Sequence, residues 1–208
     1  MTKRNKVEAV MAFMDEIFPN VGCELKYNKD YELAIAVMLS AQTTDISVNK
    51  VTEVLFSKYT NIDDLANANI KDIEDIIHSI GLYKNKAKNV LAIANSLKND
   101  FNYVLPSDKE ILQKMPGIGN KTAGVIRAEI FKIPDLPVDT HILRISKRLK
   151  FVPENADATN TEKVLKKLFP EDRWIKTHHQ LIHFGRYMCT ARNPQCEKCK
   201  LCGFCTKK

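Results

Sequence analysis

Five of the six cysteines fall between residues 189 and 205, in CTARNPQCEKCKLCGFC. A thiolate is a nucleophile and a soft metal ligand, so this crowding points to metal or disulfide chemistry. An odd count in the cluster, in a chain with no sign of export, disfavours a disulfide knot. Zinc ribbons set two CxxC pairs apart with a folded segment between them, whereas here all five clustered cysteines lie in one short loop. That compactness favours several thiolates wrapping one iron–sulfur cluster. Cys196, Cys199 and Cys202 resemble the start of a ferredoxin-type run, but the next gap is too short and no proline follows Cys205. Spacing alone leaves open which four of the five bind, and Cys23 reads as a simple thiol.

A second stretch able to do chemistry is KMPGIGNKTAGVI, residues 114–126, with three of the seven glycines, two of them in one turn. Gly117 and Gly119 can take positive φ and let another backbone approach closely. Placed before a helix, such a turn aims the first-turn N–H groups and the positive dipole end outward, an anion site suited to a backbone phosphate. A plain corner between two helices would need only a C-cap glycine. Lys121 falls in the first helical turn, where the dipole disfavours a cation. An unprotonated amine there is a nucleophile able to form a Schiff base with a carbonyl-level carbon, although a solvated lysine on a helix face is the commoner fate. Asp139 closes the connector IPDLPVD and reads as the N-cap of the next helix. A capping carboxylate that faces a cleft can also stabilise a developing sugar cation. His141, Arg144, Lys147 and Arg148 follow it with cationic groups suited to phosphates.

These residues need elements to position them, and the elements are helical. YELAIAVMLSAQ (31–42), DISVNKVTEVLFSKY (45–59), DIEDIIHSI (72–80) and NKAKNVLAIANSLKND (85–100) carry apolar residues three and four apart. SDKEILQKM (107–115) opens on Ser107 with Glu110 three residues on, a capping-box pattern. The glycine turn and its helix come next, then the two-proline connector 133–139, which no helix can cross. Helical stretches at 139–150, 159–169 and 172–184 complete the pattern, and no sustained strand alternation occurs. The fold class expected is all-α with two helical domains, and Lys121 and Asp139 flank their boundary, where active clefts form.

Charge separates the two ends. Residues 140–208 hold 15 Lys and Arg against 6 Asp and Glu, whereas residues 1–139 hold 17 against 19. A basic C-terminal third on a near-neutral body suits a polyanion, and a solubilising excess explains the charge alone nearly as well. No apolar run reaches the ~18 residues of a membrane span. The N-terminus is basic, but Glu8, Asp15 and Glu16 interrupt its apolar part, so it reads as an amphipathic helix rather than an export signal. The expected location is the cytoplasm, at the nucleoid if the source is bacterial.

Taken together, PGIGNKTAGVI, VDTHILRISKRL, HHQLIHFGRYMC and cysteines spaced C-x6-C-x2-C-x5-C resemble the endonuclease III family of helix–hairpin–helix, iron–sulfur DNA glycosylase/AP lyases. The similarity runs from about LAIAVMLSAQTTDISVNK to Cys205, with the motifs in the family's order. It implies a six-helix domain over 22–132, with the hairpin near 107–131. A second domain, 1–21 plus 133–208, would carry the cluster loop 189–205, with a DNA-binding cleft between the two. It implies Lys121 as the Schiff-base lysine, Asp139 as the catalytic aspartate, and Gly117 and Gly119 as the hairpin glycines. Gln42 matches the residue that fills the gap left by an extruded base, and Leu82 the one that wedges into the opposite strand. Cys189, Cys196, Cys199 and Cys205 match the ligands of a [4Fe-4S] cluster. The implied partner is double-stranded DNA with damaged bases or abasic sites, and the implied activity is removal of oxidised pyrimidines followed by β-elimination, by a monomer.

Two departures stand out. Cys202 is extra, and the loop TARNPQ keeps only Arg192 where the family's loop is more basic. A monofunctional adenine-mismatch glycosylase would use water and lack Lys121. A non-catalytic hairpin module would need neither Lys121 nor Asp139, and an iron–sulfur electron carrier would need no glycine turn.

Overall fold

A computed structural model describes residues 2–206; residues 1, 207 and 208, the extremes of the expected cluster domain, lie outside the described residues. Every regular element among the described residues is helical, and the chain divides into two compact units.

The unit Cys23–Phe131 is built around α2 (Asp30–Leu39). From Tyr31 to Leu39 every residue of this helix is buried, so it is apolar all round and must lie inside the bundle. Glu32 is the exception in chemistry, and its carboxylate accepts from the backbone N–H groups of Asn28 and Lys29 at 2.7 and 3.2 Å, capping the helix start. Around α2 stand α3 (Asp45–Lys58), α4 (Ile62–Ala66), α5 (Ile70–Ile77), α6 (Tyr83–Asn99), α7 (Lys109–Lys114) and α8 (Asn120–Ile130). Asn61 caps α4, a five-residue helix in a stretch where no helical period shows in the sequence. The second helix expected from the sequence extended to residue 42, but α2 stops at Leu39 and leaves Gln42 in the turn that follows.

The other unit joins Met1–Gly22 to Lys132–Lys208. Its core takes Val7, Val10, Phe13 and Met14 from α1 (Lys3–Ile17), and Leu136 and Val138 from the proline connector. Ile142 and Ile145 come from α9 (Thr140–Arg148), Leu165 from α10 (Ala158–Leu168) and Leu181 from α11 (Trp174–His183). Phe13 meets Phe184 edge to face at 6.2 Å. Asp15 fixes α1 on α11 by accepting from Arg173 at 2.8 and 2.9 Å, Lys176 at 2.8 Å and Gln180 at 2.9 Å. The Arg173 guanidinium first, then Lys176, holds the Asp15 carboxyl well below the usual carboxylate range. Past His183 the helix widens into one π turn, Phe184–Met188, and the cysteine loop follows it.

Candidate functional site

The hairpin in the Cys23–Phe131 unit forms for local reasons. Its first helix, α7, is capped by Asp108, which accepts from the Ile111 N–H at 2.9 Å. The cap is thus one residue later than the expected Ser107, whose carbonyl instead accepts from Arg127 Nε at 3.0 Å. Met115 to Ile118 then close a turn, with the Ile118 N–H donating to the Met115 carbonyl at 3.1 Å. Pro116 presets the second position and Gly117 takes the third at φ 77°, the requirement of a type II turn. Packing imposes glycine there as well, since a Cβ would stand 2.5 Å from Asn89 Nδ2 and 2.9 Å from Met38 Cγ. Ile118 is buried and pins the turn to the core.

Gly119 differs from expectation. Its φ of −89° and ψ of −177° are extended backbone, so its glycine is not required by a left-handed turn. It is the N-cap of α8 and offers no side-chain cap, and nothing lies within 4 Å of where its Cβ would be. The helix start is therefore open to a group from outside, with the positive dipole end behind it. Lys121 sits exposed in this first turn.

Gln42 and Leu82 share an unusual backbone. Both have positive φ, 54° and 61°, and both side chains are exposed, Leu82 by 60%. A left-handed leucine with most of its surface in water costs about 1–3 kcal/mol of local strain and forgoes burial, the combination found where function holds a side chain outward. The residue that supports the Gln42 turn was missed in the sequence. Lys86, only 4% exposed, donates from Nζ to the Ala41 carbonyl and to Thr43 Oγ1, each at 2.8 Å. These acceptors flank Gln42, and Lys86 lies one helical turn after Leu82. Burial lowers the Lys86 pKa. Its sequence signal was position: it occupies the buried stripe of α6 with Ala87, Val90, Ile93, Ala94 and Leu97.

In the other unit Asp139 caps α9, accepting from the Ile142 N–H at 2.8 Å, and is half-buried. Two of the cationic groups that follow it, Arg144 and Arg148, are engaged inward. Arg144 Nη2 donates inward to the Gly185 carbonyl at 2.8 Å and the Cys189 carbonyl at 3.1 Å. Arg148 donates to the carbonyls of Cys189, Thr190 and Ala191 at 3.2, 2.8 and 2.9 Å, and to Cys189 Sγ at 3.1 Å. One turn of α9 therefore grips the start of the cysteine loop through two guanidinium groups. His141 is half-buried against Gly185, where a Cβ would stand 2.8 Å from His141 Cβ, and burial lowers its pKa despite nearby Asp139. It is thus biased toward a neutral ring rather than a phosphate-binding cation. Arg192 is exposed.

All five loop cysteines line one pocket with Arg148, Phe184 and Met188. Burial first, and the neighbouring thiols of Cys189, Cys205 and Cys202 after it, push the Cys199 thiol up. Among the described residues no group of three or more His, Cys, Asp or Glu is arranged to hold a single metal ion. A tetrahedral zinc would draw its sulfurs to about 3.8 Å from one another. The pocket brings five thiols to one lining, the donor chemistry that an iron–sulfur cluster takes.

A helical bundle with a glycine hairpin leading into an exposed lysine, together with a separate cysteine loop, defines the hairpin class of base-excision proteins. The chain matches the HhH-GPD superfamily base excision DNA repair protein family over residues 35–171. Endonuclease III of Bacillus subtilis (strain 168) is 40% identical over 205 residues, covering 99% of this chain and 94% of that protein. Two solved structures, a non-covalent Endonuclease III–DNA complex and a trapped Endonuclease III–DNA covalent intermediate, are each 42% identical with TM-scores of 0.95. Each covers 99% of this chain and 96% of its counterpart. The chain belongs to the endonuclease III family. No helix among its described residues is long and apolar enough to cross a membrane.

Proposed function

We propose that the chain is a bifunctional DNA glycosylase and AP lyase of base-excision repair, acting on duplex DNA with oxidised or ring-saturated pyrimidines. The observation that carries this reading is the exposed Lys121 in the first turn of α8, two residues past the unobstructed Gly119. The family supports the glycosylase and lyase chemistry, as does the trapped covalent complex of a relative with DNA.

A base inside the stack cannot be reached, so the lesion nucleotide is flipped out. Gln42 and Leu82, held outward on left-handed backbone, are the residues we assign to the gap and to the opposite strand. The Gly117–Gly119 turn docks a backbone phosphate on the N-terminus of α8 without reading sequence. The Lys121 amine then forms a bond to C1′ of the deoxyribose as the glycosidic bond breaks and the base leaves with the electron pair. Asp139 accepts the proton released by the amine and stabilises the positive charge on the sugar. The ring opens to a protonated imine, which makes the C2′ proton acidic. Loss of that proton expels the 3′ phosphate, and hydrolysis of the imine restores the lysine.

Cys189, Cys196, Cys199 and Cys205 are the residues we assign to a [4Fe-4S] cluster. When bound, it supplies four iron–thiolate bonds that tie the loop to itself. Arg148, hydrogen-bonded to Cys189 Sγ, orients the first of these ligands, and with Arg144 it joins the loop to the helix capped by Asp139.

Incision of a duplex containing one oxidised pyrimidine tests the reading. Wild type is expected to release the base and cut the strand, whereas Lys121→Ala should leave the strand intact. Base release without any strand cut by wild type would instead assign the monofunctional reading.

A further inference from the structure

The family pattern takes four cysteines and leaves Cys202 aside, yet Cys202 lines the same pocket as the other four. The backbone explains why. From Cys196 onward the loop is built from 3₁₀ turns, Cys196–Lys198 and Cys202–Phe204. The N–H groups of Cys199, Cys202 and Cys205 donate to the carbonyls three residues back, at 3.1, 3.4 and 3.3 Å. With three residues per turn, side chains at i and i+3 eclipse. Cys196 and Cys202 open these two turns, Cys199 and Cys205 close them on extended backbone, and all four line the pocket. The segment carrying the last two is fixed at both ends. Leu201 is 1% exposed in the core, and the Thr206 N–H donates to the Arg148 carbonyl at 2.8 Å. Between those anchors Cys202 and Cys205 are one turn apart, about 6 Å along the axis.

We infer that Cys202 is a reserve ligand of the cluster pocket, able to take over the iron that Cys205 holds. The inference rests on the reading of this loop as a [4Fe-4S] site. With Cys205 bound, Cys202 remains a free exposed thiol. When Cys205 is lost, the exposed end of the loop turns by one step and the Cys202 thiolate replaces it. The exchange keeps four thiolates on the cluster and transfers no electron. Cys189 has no such neighbour, because the nearest cysteine in sequence is Cys196.

The test uses the full chain, purified and reconstituted with iron and sulfide without oxygen, as wild type, Cys202→Ala, Cys205→Ala, Cys189→Ala and the Cys202→Ala/Cys205→Ala double variant. Iron and acid-labile sulfide per chain are measured, and thiol alkylation is mapped by mass spectrometry. Both single variants at 202 and 205 should keep the wild-type iron content, and the double variant and Cys189→Ala should lose it. Alkylation should mark Cys202 in wild type and spare it in Cys205→Ala. Loss of iron in Cys205→Ala, or equal alkylation of Cys202 in both proteins, would overturn the inference. A double variant retaining full iron would overturn it too. Wild type that binds no iron would instead refute the cluster reading beneath it.

Discussion

The two units hold their chemistry by different physical means. In Cys23–Phe131 the exposed hairpin and the Gln42 and Leu82 positions stand on apolar packing, with Ile118 pressed into the core, Gly117 fitted against Asn89 and Met38, and one buried ammonium closing the Gln42 turn. In the unit of Met1–Gly22 and Lys132–Lys208 the cysteine loop has few apolar anchors. It relies on guanidinium bonds from α9 and on whatever its thiols bind. The first arrangement is complete in the protein alone. On the proposed cluster reading the second is complete only once metal is bound, and burial with the neighbouring thiols pushes the Cys199 thiol up in the protein alone.

Removing the cluster should expose that difference most strongly. Chelation of the metal is expected to abolish amide-exchange protection over 189–206 while leaving α2 and α8 protected; equal loss in both units would break the comparison. Next in size is Gly117→Val. It forces a β-branched side chain to positive φ and into Asn89, a cost of about 3 kcal/mol read as a lowered melting temperature. Full stability in that variant would mean the turn is not fixed by packing.

Smaller, and more selective, is Lys86→Met. It removes the Nζ donor from the Ala41 carbonyl and the Thr43 hydroxyl but keeps the volume, so the loss is about 1–2 kcal/mol. It should appear as a melting temperature lowered by a few degrees together with roughly tenfold weaker binding to lesion duplex. Lowered stability with unchanged binding would make Lys86 a purely structural residue.

The smallest effect belongs to Asp15. Its carboxyl is held below the usual range by Arg173, so its contribution is present above the unfolded pKa of about 3.9 and fades as pH falls through that value and below. The pair is partly exposed, which limits it to about 1 kcal/mol. Asp15→Asn should therefore lower stability near neutrality and flatten its decline with acid, as followed by urea unfolding at several pH values.

The all-helical class was legible because the apolar period is 3.6 nearly throughout and nothing alternates. So was the break at the proline connector, where Asp139 caps the next helix. The short α4 was not, since IDDLA is too brief to show a period. Neighbouring caps such as Ser107 and Asp108 compete on equal chemical terms, and only the turn geometry chooses between them. Gly119 looked conformationally required beside Gly117, yet it is extended and serves by having no side chain. Arg144 and Arg148 read as phosphate ligands because a sequence shows which helix carries a charge but not what meets that side of it. Their i,i+4 spacing, one turn apart and upstream of a cysteine loop, was the available sign of a clamp. Lys86 had a clearer sign, a charge at an apolar position of α6, and such a residue calls for a partner.

The central claim is that Lys121 performs the chemistry, and one measurement addresses it directly. Borohydride reduction of the protein mixed with abasic-site DNA, followed by trypsin and mass spectrometry, locates the covalent sugar remnant. The remnant is expected on Lys121, where it blocks cleavage and yields a single peptide spanning 115–127. A remnant on any other lysine, or no adduct at all, would contradict it.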